Sequence, residues 1–99
     1  MVGHGVVLHG ASVADGSLIG MGSTLLNAVV IGEHSIVGAN SLVTEGKTFP
    51  PRSLIVGSPA RLVREFTDED LRAVIELCER YKRRSLEYIE QGLGTKLPG

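Results

Sequence analysis

A six-residue period runs without interruption through residues 13–48 and constrains the fold more than any other feature of this chain. An aliphatic residue opens each block, and a small or short residue follows four places later in the first five blocks. Six consecutive matches to one period indicate stacked units of one kind. The opening residues are Val13, Ile19, Leu25, Ile31, Val37 and Val43. The residues four places later are Ser17, Ser23, Val29, Ser35 and Ser41.

The physical chemistry of this period predicts a parallel β-helix. Each block forms one short strand and one corner, and its opening side chain points inward onto the equivalent side chain of the next coil. Glycine stands at the second place in Gly20, Gly32 and Gly38, and glycine accepts the torsions of a corner at low cost. Three blocks form one triangular coil, and coils stack at about 4.8 Å. Helices of this architecture are left-handed, an exception to the right-handed rule for parallel crossovers.

The residues before Val13 read as two further repeats, with Val2 and Leu8 pointing inward and the second repeat one residue short. The chain is therefore expected to start inside the β-helix, as the C-terminal part of a longer design. The first coil would leave backbone N–H and C=O groups unpaired, and such an edge is a site for association.

After Thr48 the repeat is expected to stop within a single domain of residues 1–99. Two prolines make residues 49–52 a turn or strap, because proline cannot donate to a ladder. Residues 53–56 are predicted to form one more strand, and residues 61–64 to lead out of it. The predicted divisions are 1–48 for the coils, 49–66 for the strap and last strand, and 67–93 for one long C-terminal α-helix.

The helix is predicted from its cap and its stripe. Thr67 can cap it, and Asp70 stands near the reciprocal capping-box position. A helix of this length measures about 36 Å, whereas the coils of this chain rise about 13 Å, so part of the stripe is expected to contact a different chain. Interspersed acids make the basic residues a solvated face, and Cys78 is expected to be a buried spacer. The stripe is Leu71, Val74, Ile75, Cys78, Tyr81, Ser85, Leu86, Ile89 and Leu93.

Composition narrows the classes of function. No Lys or Arg precedes Lys47, so a uniformly basic nucleic-acid surface is not expected. The longest apolar runs are only a few residues, so neither a membrane span nor a signal peptide is predicted. The single cysteine, Cys78, excludes an internal disulfide and suits a reducing compartment, which predicts a cytoplasmic protein.

His4 and His9 are the candidate metal ligands. Both occupy places in successive repeats that do not point inward, so neither is needed for the core. Imidazole is a common ligand of zinc, but a spacing of five residues is a weak signal by itself. His34, at the fourth place of its repeat, is expected to be an exposed corner residue without a metal role.

Four segments carry a further signal: VGHGVVLHG at residues 2–10, LIGMGS at 18–23, IGEHSIVGA at 31–39 and GSPAR at 57–61. Together they resemble the γ-class carbonic anhydrase family, from Val2 to about Tyr88. The pattern Val-Gly-His-x4-His is specific to that family among hexapeptide-repeat proteins, whereas the other segments are shared more widely.

The resemblance implies a left-handed β-helix with a helix lying back along it, assembled as a homotrimer. It also implies zinc or iron between subunits, bound by three histidines from two chains, whose hydroxide reversibly hydrates CO2 to bicarbonate. His4 and His9 match the second and third of those ligands. The family's first ligand lies upstream of the segment that matches His4, so the set in this chain is incomplete. Enzymatic activity is therefore left open, and no catalytic residue is assigned.

Two other functions stay open. One is a non-catalytic hexapeptide-repeat scaffold, which metal content and CO2 hydration would distinguish from the enzyme. The other is a hexapeptide acyltransferase that binds an acyl-CoA, which is less favoured because no loop interrupts residues 13–48.

Overall fold

The computed structural model describes the backbone of residues 2–90 and the side chains of residues 2–83. This part of the chain is a left-handed parallel β-helix followed by a hairpin and one α-helix, which confirms the predicted fold class. The strands are β1 Val7–Leu8, β2 Ser12–Val13, β3 Leu18–Ile19, β4 Thr24–Leu25, β5 Val30–Ile31, β6 Ile36–Val37, β7 Leu42–Val43, β8 Thr48–Phe49, β9 Ser53–Gly57 and β10 Ala60–Glu65. The helix α1 is Asp68–Glu90.

Three sheets form the faces of the triangular coil. Their strand orders are β1-β4-β7, β2-β5-β8 and β10-β9-β6-β3, and all pairs are parallel except the hairpin of β9 and β10. In the first coil Val7 pairs with Thr24, and Ser12 pairs with Val30. The sequence separation between the partners is therefore one residue smaller in the first pair than in the second. The short repeat around His9 accounts for the difference, because that corner alone lacks a residue.

The inward positions stack as the period predicts. Ile19, Val37 and Ile55 form one fully buried column, and Leu25 and Val43 form part of another. Val2 pairs with Ile19 and Leu8 pairs with Leu25, so both continue these columns. They are nevertheless 46% and 43% exposed, since no described residue lies above them.

Buried serines hold two of the three corners together. The Ser35 amide donates to Ser17 Oγ at 3.0 Å, and the Ser53 amide donates to Ser35 Oγ at 3.1 Å. At the next corner the Ser41 amide donates to Ser23 Oγ at 3.3 Å, one coil above it. These hydroxyls therefore satisfy corner amides that the strand ladders leave out, which is why a small hydroxyl residue follows the turning residue at these two corners.

The turning residue of each corner is the fourth of its block, and it has a positive φ. At three corners, a side chain from the coil below reaches under a positive-φ glycine: Asn27 lies against Gly10, His34 against Gly16, and Asn40 against Gly22. The second-place glycines are required by the close approach of the next coil, because a Cβ on Gly20 would lie 2.5 Å from the Ala39 amide nitrogen. From the first complete block onward the positive-φ residues are Gly16, Gly22, Ala28, His34, Asn40, Gly46 and Arg52.

The coils, expected to end at residue 48, continue for one more block. Phe49 is inward and buried, Arg52 turns the corner with a φ of 62°, and Ser53 occupies the buried serine place. The two prolines fit because they lie at the second and third places, outside the ladders. Residues 61–64, expected to lead out, instead belong to β10, which pairs antiparallel with β9 and brings Ala60 into the core.

The helix begins at a reciprocal cap. The Thr67 amide donates to Asp70 Oδ2 at 3.0 Å, and the Asp70 amide donates to Thr67 Oγ1 at 3.2 Å. Ion pairs then tie the first turn to the β-helix: Arg52 Nη1 lies 2.7 Å from Asp68 Oδ1, and Arg64 Nη1 lies 3.1 Å from Asp70 Oδ2. The predicted start is therefore confirmed, with aspartate in the usual glutamate place.

Only the first half of the stripe is seen in contact with the coils. Val74 is buried, the Cys78 thiol donates to the Gly16 carbonyl at 3.2 Å, and Tyr81 is exposed. The stripe side chains from Ser85 onward, and the predicted helix end at residue 93, lie outside the described side chains and residues. Contact of the stripe with a different chain therefore stays a prediction. Helix α1 is not apolar enough to cross a membrane, and the described residues contain no other helix.

The serine column makes a stability prediction. Ser35→Ala removes the acceptor of the buried Ser53 amide, so we expect a loss of about 1–3 kcal/mol in the free energy of unfolding. Ser12→Ala, at an exposed strand residue, is the matched control and should change little. Urea titration measures both, and equal stability of the two variants would contradict the role of the hydroxyl.

The cap makes a prediction about pH. The Thr67 N–H, assisted by Arg64, holds the pKa of the Asp70 carboxyl below its ordinary value of 3.8. A lowered pKa stabilises the folded state above that value, and the contribution is lost as the pH falls through the folded pKa. Asp70→Asn should therefore unfold more easily than the natural chain at pH 7, and the difference should shrink below pH 3.8. Urea titration at both pH values is the measurement, and equal stability of Asp70→Asn and the natural chain at pH 7 would contradict this role of the carboxylate.

Candidate metal centre at the first coil

His4 and His9 occupy the corners at the two ends of β1. Each stands immediately before a glycine of positive φ, Gly5 (67°) and Gly10 (66°). The coil below fixes both corners through the backbone: the Gly22 amide donates to the His4 carbonyl at 2.8 Å, and the His9 amide donates to the Leu25 carbonyl at 2.9 Å. Both imidazoles are exposed. The corners are thus held in place while their side chains are free for a ligand.

One described chain does not complete a metal centre by itself. Among the described residues, no group of three His, Cys, Asp or Glu side chains could hold a metal ion. The donor chemistry of His4 and His9 fits zinc or iron, because imidazole nitrogen is a suitable ligand for both metals and both side chains are exposed. Their positions at opposite ends of β1 give each corner one donor. The assignment of His4 and His9 as ligands therefore stays a prediction.

His34 does not lie where it was expected. It turns its corner as predicted, with a φ of 53°, but it is half-buried and not exposed. Its Nδ1 is buried without a hydrogen-bond partner. A Cβ on Gly16 would collide with that nitrogen, so the imidazole packs directly beneath Gly16. His34 lies at the third corner of the next coil, so it shares a corner with neither His4 nor His9, and packing beneath Gly16 accounts for its placement.

A cleft of about 340 Å³ separates α1 from the corner that carries His34. Ile75 and Cys78 form its helix side, and Glu79 and Lys82 stand along it. Burial raises the pKa of the Cys78 thiol, which disfavours the thiolate. Cys78 therefore acts as a half-buried packing residue, as the sequence indicated, although it is less enclosed than expected.

Sequence reasoning missed Met21, which lies one coil below His4. A Cβ on Gly3 would stand 2.9 Å from the Met21 amide nitrogen, so the two coils touch at this corner. Met21 is 56% exposed, so its side chain is not part of the core. The six-residue period puts Met21 at the third place of its block. That this place points away from the core could have been recognised from the period alone.

Comparison with known proteins supports a hexapeptide-repeat origin. Residues 10–45 match the family model described as bacterial transferase hexapeptide (six repeats). The chain is 47% identical over 70 residues to the carnitine operon protein CaiE of Salmonella agona, covering 71% of this chain and 35% of that protein. It is 40% identical over 80 residues to the mitochondrial gamma carbonic anhydrase 1 of Arabidopsis thaliana, covering 81% of this chain and 29% of that protein. The chain thus spans about a third of the length of these curated relatives.

Solved structures share the architecture. A Bacillus cereus protein described as a proposed acetyltransferase superposes with a TM-score of 0.77 at 41% identity, covering 88% of this chain and 51% of that one. A hexapeptide transferase family protein from Anaplasma phagocytophilum superposes with a TM-score of 0.75 at 32% identity, covering 88% of this chain and 54% of that one.

Proposed function

We propose that this chain, a member of the hexapeptide-repeat proteins related to the γ-class carbonic anhydrases and CaiE, binds zinc or iron through His4 and His9 and hydrates CO2 reversibly. The observation that carries the proposal is that both imidazoles are exposed on corners whose backbone is held by the coil below. The 40% identity to an Arabidopsis gamma carbonic anhydrase supports the reaction class.

The proposed centre lies between copies of the chain. His4 and His9 stand at opposite ends of β1, so each corner offers one imidazole to a neighbouring copy. A threefold arrangement would bring His4 of one copy toward His9 of the next, which is why we propose a homotrimer. A catalytic zinc takes three protein ligands and one open position, so the third ligand would come from outside the described residues.

The residues of this chain would bind and orient. Gly5 and Gly10 turn the chain directly after each ligand, which leaves the imidazoles pointing away from the core. When bound, zinc or iron would supply hydroxide at neutral pH by lowering the pKa of water to near 7. Residues 1–46 contain no Lys or Arg, so no basic side chain of these coils would oppose a metal cation at His4 or His9.

The metal assignment can be tested directly. His4→Ala and His9→Ala should each abolish zinc or iron retention and CO2 hydration, because each removes a ligand. His34→Asn is the matched control, since asparagine accepts the positive φ of that corner. Metal analysis after dialysis and stopped-flow CO2 hydration are the measurements. Equal metal content in all three folded variants would refute the assignment.

The oligomer can be tested separately. We expect light scattering to give about three times the 10.5 kDa mass of one chain, or a multiple of that. The exposed apolar side chains of Val2, Val7 and Leu8 at the first coil favour association over a free monomer. A well-folded monomer at micromolar concentration would contradict both the trimer and the shared metal centre.

Acyl transfer is the second candidate, because two of the related structures are described as a transferase and a proposed acetyltransferase. Against it, no loop interrupts the coils of residues 13–48. Saturable binding of acetyl-CoA by the natural chain, together with absence of CO2 hydration, would favour this function. Absence of both activities would favour a non-catalytic scaffold.

A further inference from the structure

Met21 and His4 occupy the same place in successive coils. Val2 pairs with Ile19 just before this place, and the Gly22 amide donates to the His4 carbonyl at 2.8 Å just after it. These two contacts place His4 in register with Met21. The backbones touch, because a Cβ on Gly3 would stand 3.1 Å from the Met21 Cα. Coils stack at about 4.8 Å, so an imidazole and a thioether project from one corner within reach of a shared ion.

Packing among the described residues does not explain this methionine. Met21 is 56% exposed and stands immediately before the positive-φ residue Gly22, a place that points away from the core. A polar, small or proline residue occupies the equivalent place in every other block from residue 13 onward, which makes the large apolar side chain unusual there. Those residues are Asp15, Asn27, Glu33, Ala39, Glu45 and Pro51.

We propose that His4 and Met21 form a binding site for copper(I). The thioether of methionine is a soft ligand that selects copper(I), and imidazole also suits copper. Zinc is instead bound by cysteine, histidine and carboxylates, so Met21 adds nothing to zinc affinity. Copper(I) is satisfied by two donors in a linear arrangement, which a single histidine and the three rotatable bonds of a methionine can provide.

The other described histidine corners lack this pairing. His9 follows β1, and the equivalent residue of the coil below is Leu26, which follows β4 and is half-buried. His34 lies between Gly16 of the coil above and Arg52 of the coil below. Met21 is the sole sulfur-bearing residue among residues 2–77. A cation at this corner also meets no basic side chain from residues 1–46. Copper(I) binding therefore depends on one corner of one chain.

The site shares His4 with the proposed zinc or iron centre, but it needs neither His9 nor a second copy. Silver(I) is the probe, because it has the same preference for soft donors and does not change oxidation state. The sequence contains two methionines, so labelling their methyl groups with carbon-13 gives two resonances, and Met21→Leu identifies that of Met21. We expect the Met21 methyl resonance to shift on addition of one equivalent of silver(I).

The variants separate the soft-ion site from the zinc or iron centre. Met21→Leu keeps the size and apolar character of the side chain, so it should weaken silver(I) binding by at least about tenfold while leaving zinc binding unchanged. His4→Ala should weaken both, and His34→Asn neither. A Met21 methyl resonance that ignores silver(I), or unchanged silver affinity in Met21→Leu, would overturn the proposal and leave Met21 as an exposed apolar contact.

The two proposals can fail independently. A natural chain that binds no zinc or iron but binds silver(I) through Met21 would refute the proposed function and support the soft-ion site. Zinc binding that needs His4 and His9, together with silver binding that ignores Met21, would do the reverse.

Discussion

Coil-to-coil contact through the backbone is the constraint on which the rest of the structure depends. Successive coils lie so close that a Cβ on Gly20 would stand 2.5 Å from the amide nitrogen of Ala39. At that separation the backbone amides and carbonyls pair between coils at 2.8–3.1 Å along the strands. The inward aliphatic columns and the serine columns follow, because equivalent residues are placed directly over one another. A single side chain inserted between the coils would disturb all three features together.

This arrangement leaves only certain places for chemistry. Opening residues fill the interior, second-place residues meet the adjacent coil, and the serine place satisfies corner amides. The residue just before each turning residue has none of these duties. His4 and Met21 occupy that place, and His9 comes to precede its turning residue because its repeat is short. A rigid stack thus displays variable side chains at fixed intervals, so that function can change without a change of fold.

The sequence predicted the features that repeat and missed those that depend on single contacts. The inward columns and the buried serines follow from six-residue spacing, and the cap at Thr67 follows from local hydrogen bonding.

The extra block at Phe49–Ser53 was missed because its prolines looked like an interruption, although they lie outside the ladders. The β10 strand was missed because its pairing with β9 has no period. The burial of His34 was missed because it depends on the space that Gly16 leaves one coil above. For the proposed metal centre, the sequence pointed to two histidines that the structure leaves exposed, and their role as ligands stays a prediction.

The single missing residue at the His9 corner has a consequence for alignment. A stack of near-identical blocks can be slid by one block with almost the same contacts, much as a repetitive strand can slip in register. In this chain Val7 and its partner Thr24 are closer in sequence, by a single position, than the partners in every later parallel pair of strands. A slide by one block would place this tighter corner over a corner of ordinary length and break the hydrogen bond between Ala28 and Gly10. The short repeat therefore fixes the register in which the coils stack, and with it the side chain that lies under each histidine.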